Sequence, residues 1–415
     1  MNVPVDQRPI VLAVFVLTYV GLAVGRIPGL RLNRAGIALL GAIAMMIVSG
    51  NSTGVTVSSI NWPTIALLFG FFVISAQLRL SGFYHQVADA ISQRLDHPAG
   101  FLIFLIAVTA GLSAFLNNDV VCYVLTPVVG AALIRKQLNP VPYLIAMAVA
   151  ANIGAGATLI GNAQNMMIGQ LTGLGFLGYM LWSVVPVLFG LAITFLVARL
   201  ELRAGVAQLE PPEDEGASES VYLFDRYHAA KGLAVLGIVI ALFFTSLPKE
   251  VVVLVAAGIH LMSHKFRTQE LLSLVDWQLL LLFVSLFVVS GTFQATGYES
   301  QLVQWLEGRG MDPSQTGNEV ALTAGLTALI GNAPAVMLLV KLVPIARAST
   351  ACVMGVANSF GGNAILTASV ANLIVVQQAR RAGIVISFGS FARMGLPITL
   401  ISLGGLYAWA LLIGG

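Results

Sequence analysis

Charge is scarce in this sequence. Asp, Glu, Lys and Arg together make up 9% of its 415 residues, where a soluble domain carries roughly 25%, so most of the chain cannot face water. The net charge of +3 offers no basic surface for a nucleic-acid partner. Cysteine is reduced to Cys122 and Cys352, both inside apolar segments, where a thiol behaves as a small hydrophobe. No Gly-Lys-Ser/Thr phosphate loop is present, so direct ATP coupling would require a soluble ATPase partner. The five histidines, His85, His97, His228, His260 and His264, fall in loops or at the ends of apolar runs. They supply neither metal-ligand spacing nor a base beside a nucleophile, so no enzyme and no cofactor is expected.

Apolar residues fill the chain instead, 58% of it, with mean hydropathy +0.90. A bilayer span needs about 20 residues. Candidate spans lie at 9–25, 36–50, 62–80, 141–168, 176–198, 231–247, 250–263, 276–294, 350–378 and 394–413. The first follows Asp6 and Arg8 and runs past the length of a signal-peptide core, so it reads as a retained span. Two more apolar stretches, 100–134 and 320–345, are interrupted at their middles by polar clusters.

Sidedness decides how to read those two. Lysine and arginine should gather on the cytoplasmic side. If each interrupted stretch is a hairpin returning to its own side, Arg26, Arg31, Arg34, Arg79, Arg94, Arg135, Lys136, Arg199, Arg203, Arg226, Lys231, Lys265, Arg267, Arg380 and Arg381 share one compartment. The other side receives Arg8, Lys249, Arg309 and Arg347 beside Glu299, Glu307, Asp312 and Glu319. This segregation describes a multi-pass inner-membrane protein with both termini periplasmic. Its first hairpin opens from the cytoplasm and its second from the periplasm. Residues 1–205 then form one repeat, 206–230 a cytoplasmic linker and 231–415 a second repeat. Within the linker, Glu210-Pro211-Pro212-Glu213-Asp214-Glu215-Gly216 is the only acidic, proline-containing run, either a plain connector or a regulatory docking site.

The two halves resemble each other at a nearly constant offset. Asn61-Trp62 matches Asp276-Trp277, Ser81-Gly82-Phe83 matches Thr296-Gly297-Tyr298, and Asn117 matches Asn332, each 215 residues apart (277 − 62, 297 − 82, 332 − 117). Further on, Asn152 matches Asn358 (358 − 152 = 206) and Asn165 matches Asn372 (372 − 165 = 207). Each half holds five spans and one hairpin, an odd number of crossings, so the second must be inverted, as in many secondary transporters. The expected fold is an all-α polytopic membrane protein. It comprises two inverted repeats, about ten transmembrane helices, two re-entrant helical hairpins and discontinuous helices.

Irregular backbone at membrane depth is tolerated only around a cavity or inside protein. Four places qualify. The hairpin tips are Leu116-Asn117-Asn118-Asp119 and Gly331-Asn332-Ala333-Pro334. The span breaks run from Asn152 through Thr158 to Asn165, and from Asn358 through Gly362 and Asn363 to Thr367 and Ser369. A new helix begins at each tip, and its first N–H groups attract an anion or polar oxygen. The candidate substrate-binding residues are therefore Asn117, Asn118, Asn152, Asn332, Ala333, Asn358, Gly362 and Asn363. The glycines of the breaks either let a ligand approach the backbone or are plain packing surfaces. Unwound carbonyls there could coordinate a cation.

Asp119 is the only acidic residue read as lying deep in the membrane, where such groups mark ion or proton pathways. It either couples transport to an ion or caps the second arm of its hairpin. Its repeat partner, Pro334, cannot titrate. Thr158 and Thr367 are the other candidates for the coupling ion, taken as a proton with sodium as the alternative. No arginine is expected in the site, and Lys341 is expected to snorkel to the interface.

Ser113-Ala114-Phe115-Leu116-Asn117-Asn118-Asp119 followed by Leu125-Thr126-Pro127-Val128 resembles the first hairpin of arsenical-pump membrane proteins. Asn332-Ala333-Pro334 resembles their second tip. Ala151-Asn152-Ile153-Gly154 through Thr158-Leu159-Ile160-Gly161-Asn162 is similar to the broken span of arsenite permeases, citrate-transporter-like proteins and sodium/proton antiporters of the ion transporter superfamily. Two features depart from other members. The Ser-Asn-Thr tips of divalent anion/sodium symporters are missing, and Asn162-Ala163-Gln164-Asn165 replaces an Asp-Pro-Pro-Asn run. The resemblance implies export of arsenite or antimonite, or transport of another small anion, driven by protons. It also implies a scaffold part that often forms a homodimer and a mobile transport part. A sodium-coupled di- or tricarboxylate symporter and a sodium/proton antiporter are the alternatives, with a passive channel behind them. Cys122 is either a structural thiol or a ligand for trivalent arsenic.

Overall fold

The computed structural model describes residues 3–25, 32–50, 53–93, 95, 98–203, 223–343 and 348–414, and its regular elements are all helical. The first half runs α1 (Arg8–Val24), α2 (Arg34–Ser49), α3 (Thr53–Val57), α4 (Trp62–Leu80), α5 (Phe83–Ser92), α6 (Pro98–Phe115), α7 (Asn118–Arg135), α8 (Pro140–Ala155), α9 (Ala163–Thr172) and α10 (Phe176–Arg203). The second runs α11 (Arg226–Leu242), α12 (Lys249–Leu261), α13 (Thr268–Ser273), α14 (Trp277–Gln294) and α15 (Tyr298–Glu307). It continues with α16 (Thr316–Ile330), α17 (Asn332–Leu342), α18 (Ala348–Gly361), α19 (Val370–Arg381) and α20 (Phe388–Gly414). Each helix of the first half has its counterpart in the second, in the same order. The Glu210–Gly216 run and Arg26, Arg31, Arg94 and Arg347 lie outside the described residues.

Local chemistry repeats with the elements. Asn61 caps α4 by accepting from the Thr64 N–H at 2.9 Å, and Asp276 caps α14 by accepting from the Leu279 N–H at 2.9 Å. Gly82 (φ 72°) and Gly297 (φ 78°) sit in the left-handed region, which glycine enters without steric cost. Each turns the chain into a ten-residue amphipathic helix, α5 or α15, too short to cross a bilayer. Neither helix is apparent from hydropathy, which registers continuous apolar runs and not one-sided ones.

The packing obeys the same two-fold relation. Helix α2 lies along α14 and α12 along α4, while α6 packs on α8 and α16 on α18. Hairpin α6–α7 returns to the side it came from. Five crossings follow it (α8 with α9, then α10, α11, α12 and α14) before hairpin α16–α17 begins. Five is odd, so the two hairpins enter from opposite sides. Among the described residues seven helices are long and apolar enough to cross a membrane, the two arms of the first hairpin among them, while α8–α9 and α18–α19 are pairs of shorter helices joined at a break. The core lies around those pairs: every residue of α8 except Val141 is buried. Helices α10 and α20 carry exposed leucines outward, among them Leu188, Leu196, Leu400 and Leu412, as lipid-facing surfaces do.

Glycine sets how closely the hairpins dock. A Cβ placed on Gly361 would lie 2.8 Å from the Ala324 Cα in the first arm of the second hairpin. Gly154 meets Ala110 of the first hairpin in the same manner. These two glycines are crossing points between helices.

Candidate functional site

The site grows out of two helix starts. At the first tip Asn117 is the N-cap, its Oδ1 accepting from the Asp119 N–H at 2.8 Å. Capping therefore belongs to Asn117. The Asp119 carboxylate has no hydrogen bond or ion pair to a described residue and lines a cavity. At the second tip α17 follows Gly331 (φ 91°) with no side-chain cap, so its first N–H groups and the positive end of its dipole stay available. Pro334 in that first turn has no N–H to offer.

Both tips open into one cavity of about 30 Å³, which Asn117, Asn118 and Asp119 line together with Asn332, Ala333 and Pro334. Gln164, Ser369 and the backbone around Ala368 complete the wall from the broken spans. Arg34, at the first residue of α2, lines it too, and its Nη2 donates to the Thr367 carbonyl at 3.0 Å. The cavity is thus bipolar, with a carboxylate on one wall and a guanidinium and a helix N-terminus on the other.

A network of asparagines holds these walls. Asn118 Nδ2 donates to Asn152 Oδ1 at 3.1 Å, and Asn152 Nδ2 donates to Asn363 Oδ1 at 2.8 Å and Asn372 Oδ1 at 3.0 Å. Asn358 Nδ2 donates to Thr327 Oγ1 at 2.8 Å and to the Asn332 carbonyl at 3.0 Å. Each break is stapled by one amide. Asn165 Nδ2 reaches the Ala155 and Thr158 carbonyls at 3.3 and 3.0 Å, and Asn372 Nδ2 reaches the Gly362 and Ile365 carbonyls at 2.8 and 3.4 Å. Both the donor and its two acceptors are displaced by 207 residues (372 − 165, 362 − 155, 365 − 158).

The sequence candidates therefore separate. Asn117, Asn118, Asp119, Asn332 and Ala333 come together at the cavity. Asn152, Asn358 and Asn363 are buried behind it as supports. Gly362 abuts the tip, since a Cβ on it would sit 2.7 Å from Asn332 Oδ1. Thr158 lies away from the cavity, its hydroxyl donating to the Ala114 carbonyl and tying the break to the first hairpin. Thr367 contributes its carbonyl to Arg34. Cys122 is fully buried and is not among the cavity-lining residues.

Two expectations are corrected here. An arginine does reach the site, because α2 packs on α14 and carries its first residue to the second hairpin tip. The only signal for it in the sequence is its position beside the N-cap Asn33, at the boundary of an apolar run. Glu319, expected among the aqueous charges of the second side, is instead buried in the first turn of α16 at 2% exposure.

Two inverted repeats, paired hairpins and a polar cavity at their meeting point define a polytopic membrane transporter. The citrate transporter family model matches residues 13–350, and the chain belongs to that family. The uncharacterized transporter Rv2684 of Mycobacterium tuberculosis is 30% identical over 96% of this chain and 97% of its own length. The silicon efflux transporter LSI3 of Oryza sativa is 32% identical over 41% of this chain and 35% of its own. Among solved structures, the Alcanivorax borkumensis YdaH transporter, described as having an unusual topology, superposes with a TM-score of 0.62. It covers 98% of both chains at 15% identity, a likeness of fold.

Proposed function

We propose that this transporter moves a small oxyacid or anion across the cytoplasmic membrane by alternating access, driven by protons, with arsenite or antimonite the favoured cargo. The observation that carries the reading is the bipolar cavity. A partly protonated oxyacid offers hydroxyls to the Asp119 carboxylate and to Asn332 Oδ1, a buried acceptor without a donor. Its oxygens accept from Arg34 and from the open N–H groups of α17. The similarity to LSI3, a silicon efflux transporter, supports a hydroxylated acid of similar shape.

Charge segregation supports an inner-membrane placement with periplasmic termini. We extend to the chain the homodimer that the family resemblance implies. A soluble ATPase is unnecessary where protons supply the drive. A carboxylate cargo coupled to sodium is the second reading, favoured by the family description and by the fit of a guanidinium to a carboxylate. The deciding measurement is arsenite uptake by the purified protein in liposomes, with an imposed pH gradient and no sodium. Proton-driven accumulation that falls by about 100-fold or more in Asp119→Asn supports the proposal. Uptake only of citrate, and only with sodium, replaces it with the second reading.

A further inference from the structure

We infer that the first arm of the second hairpin is a proton path, with Glu319 as its outer proton carrier; the inference rests on the proton-coupled reading above. Glu319, Thr323 and Thr327 stand at i, i+4 and i+8 on α16, one above another on a single helix face. Their relative exposures are 2%, 0% and 0%. Glu319 Oε1 and Thr323 Oγ1 have no hydrogen-bond partner. Thr327 Oγ1 accepts from Asn358 Nδ2 at 2.8 Å, and the same amide donates to the Asn332 carbonyl at 3.0 Å, at the cavity wall. Asn358 Oδ1 and Asn332 Oδ1 are likewise buried without partners. Unsatisfied buried polar atoms are uncommon in folded proteins, and here four of them mark one line from the base of the hairpin to the site.

The threonine behaviour sharpens the point. Buried threonines in helices ordinarily donate to the carbonyl one turn back. Thr126 does so to Cys122 at 2.6 Å and Thr194 to Gly190 at 2.8 Å. Thr323 does not, leaving its hydroxyl free both to give and to take a hydrogen bond. The file from Glu319 to Thr327 spans about 12 Å, in steps of about 6 Å that one water each can bridge.

The first hairpin has only the inner part of this file. Thr109 and Ser113 are buried and unpartnered on α6, matching Thr323 and Thr327 at an offset of 214 (323 − 109, 327 − 113). The position one turn further out is Leu105, which carries no proton. The two repeats are thus complementary. The first holds a carboxylate at its tip, Asp119, and the second holds one at its base, Glu319.

No charged neighbour claims Glu319. Cys352 of α18 is within its electrostatic reach, and Tyr407 of α20 packs on Gly317 two residues away. The remaining titratable or charged groups on helices packed against α16 are Arg8 and Tyr19 of α1, Lys341 of α17 and Arg393 of α20. Among the described residues none of these pairs or hydrogen-bonds with Glu319. Its carboxyl releases a proton inward, water and the two hydroxyls pass it to the cavity, each group receiving one proton as it releases one, and Glu319 is refilled with a proton from the aqueous side of the second hairpin.

The test uses the full chain in liposomes with a trapped pH-sensitive dye and arsenite or silicic acid as probe. Glu319→Gln should slow solute-coupled proton movement by at least about tenfold while leaving solute exchange at equal pH within about twofold of wild type. Thr323→Val should slow it in the same direction, and Thr323→Ser should restore it. Wild-type proton movement in Glu319→Gln overturns the path alone and leaves the coupling reading standing. Equal loss of exchange and proton movement in both Glu319→Gln and Thr323→Val overturns it too, by showing a structural role. Absence of solute-coupled proton movement in the wild type overturns coupling and path together.

Discussion

At the scale of single residues, what separates function from support is whether a polar atom already has its partner. Thr158 and Asn152 have theirs and hold the walls, whereas Asp119 and Asn332 line the cavity, Asn332 Oδ1 without a partner. Arg34 is intermediate: it binds the Thr367 carbonyl and still lines the cavity. If it also recognises an anionic edge, losing it removes a charge-assisted hydrogen bond. Arg34→Gln should weaken binding of a singly charged anion by about 10- to 100-fold, read by calorimetry in detergent. Arg34→Lys should recover part of that loss, keeping the charge without the planar fork. Equal affinity in wild type and Arg34→Gln would show that the arginine serves only the Thr367 contact. Sequence reasoning could name Asn117, Asp119 and Asn332 because each sits in a polar cluster inside an apolar run. It could not name Arg34, whose relevance depends on which helix α2 leans upon.

At the scale of elements, the hairpins act as units because small residues let them lie flush on the broken spans. Gly361 and Ala324 cross with no room for a side chain, as do Gly154 and Ala110. A Cβ on Gly361 meets backbone atoms at 2.8 and 3.0 Å, and backbone cannot rotate away. Gly361→Val should therefore cost about 1–3 kcal/mol through overpacking, seen as a lower thermal midpoint in detergent. It should also reduce transport by moving Asn332, which Gly362 abuts. The breaks, the tips and the nearly constant offset were legible because repeated motifs survive in an apolar background, although the hairpins align at 214 residues (332 − 118) where α4 and α14 align at 215 (277 − 62). The amphipathic helices α5 and α15 were not, because half of each resembles a loop by composition. Glu319 is hidden for a related reason: a hydropathy boundary falls beside it, and its burial depends on how other helices pack around α16.

At the scale of the whole molecule, the two halves meet where α2 lies along α14 and α12 along α4, and a polar junction near the start of α11 adds to these contacts. The Asp225 N–H donates to the Ser81 carbonyl at 2.8 Å, linking the end of α4 to the second repeat. The Asp225 carboxylate accepts from Lys265 and from the His228 N–H. Lys265 first, then His228, hold that carboxyl well below the usual carboxylate range. A depressed folded-state pKa means the folded form binds the proton less readily than the unfolded chain. The stabilisation is therefore fully present above the unfolded value near pH 4 and is lost as pH falls through the folded value. Asp225→Asn should lower the thermal midpoint at pH 7 by about 1–3 °C, and this gap should close as the pH drops below about 4. A gap that stayed constant down to pH 2 would show that the charge facing Lys265 is not its source, and no gap at pH 7 would place the stabilisation in the helix cap, which asparagine keeps.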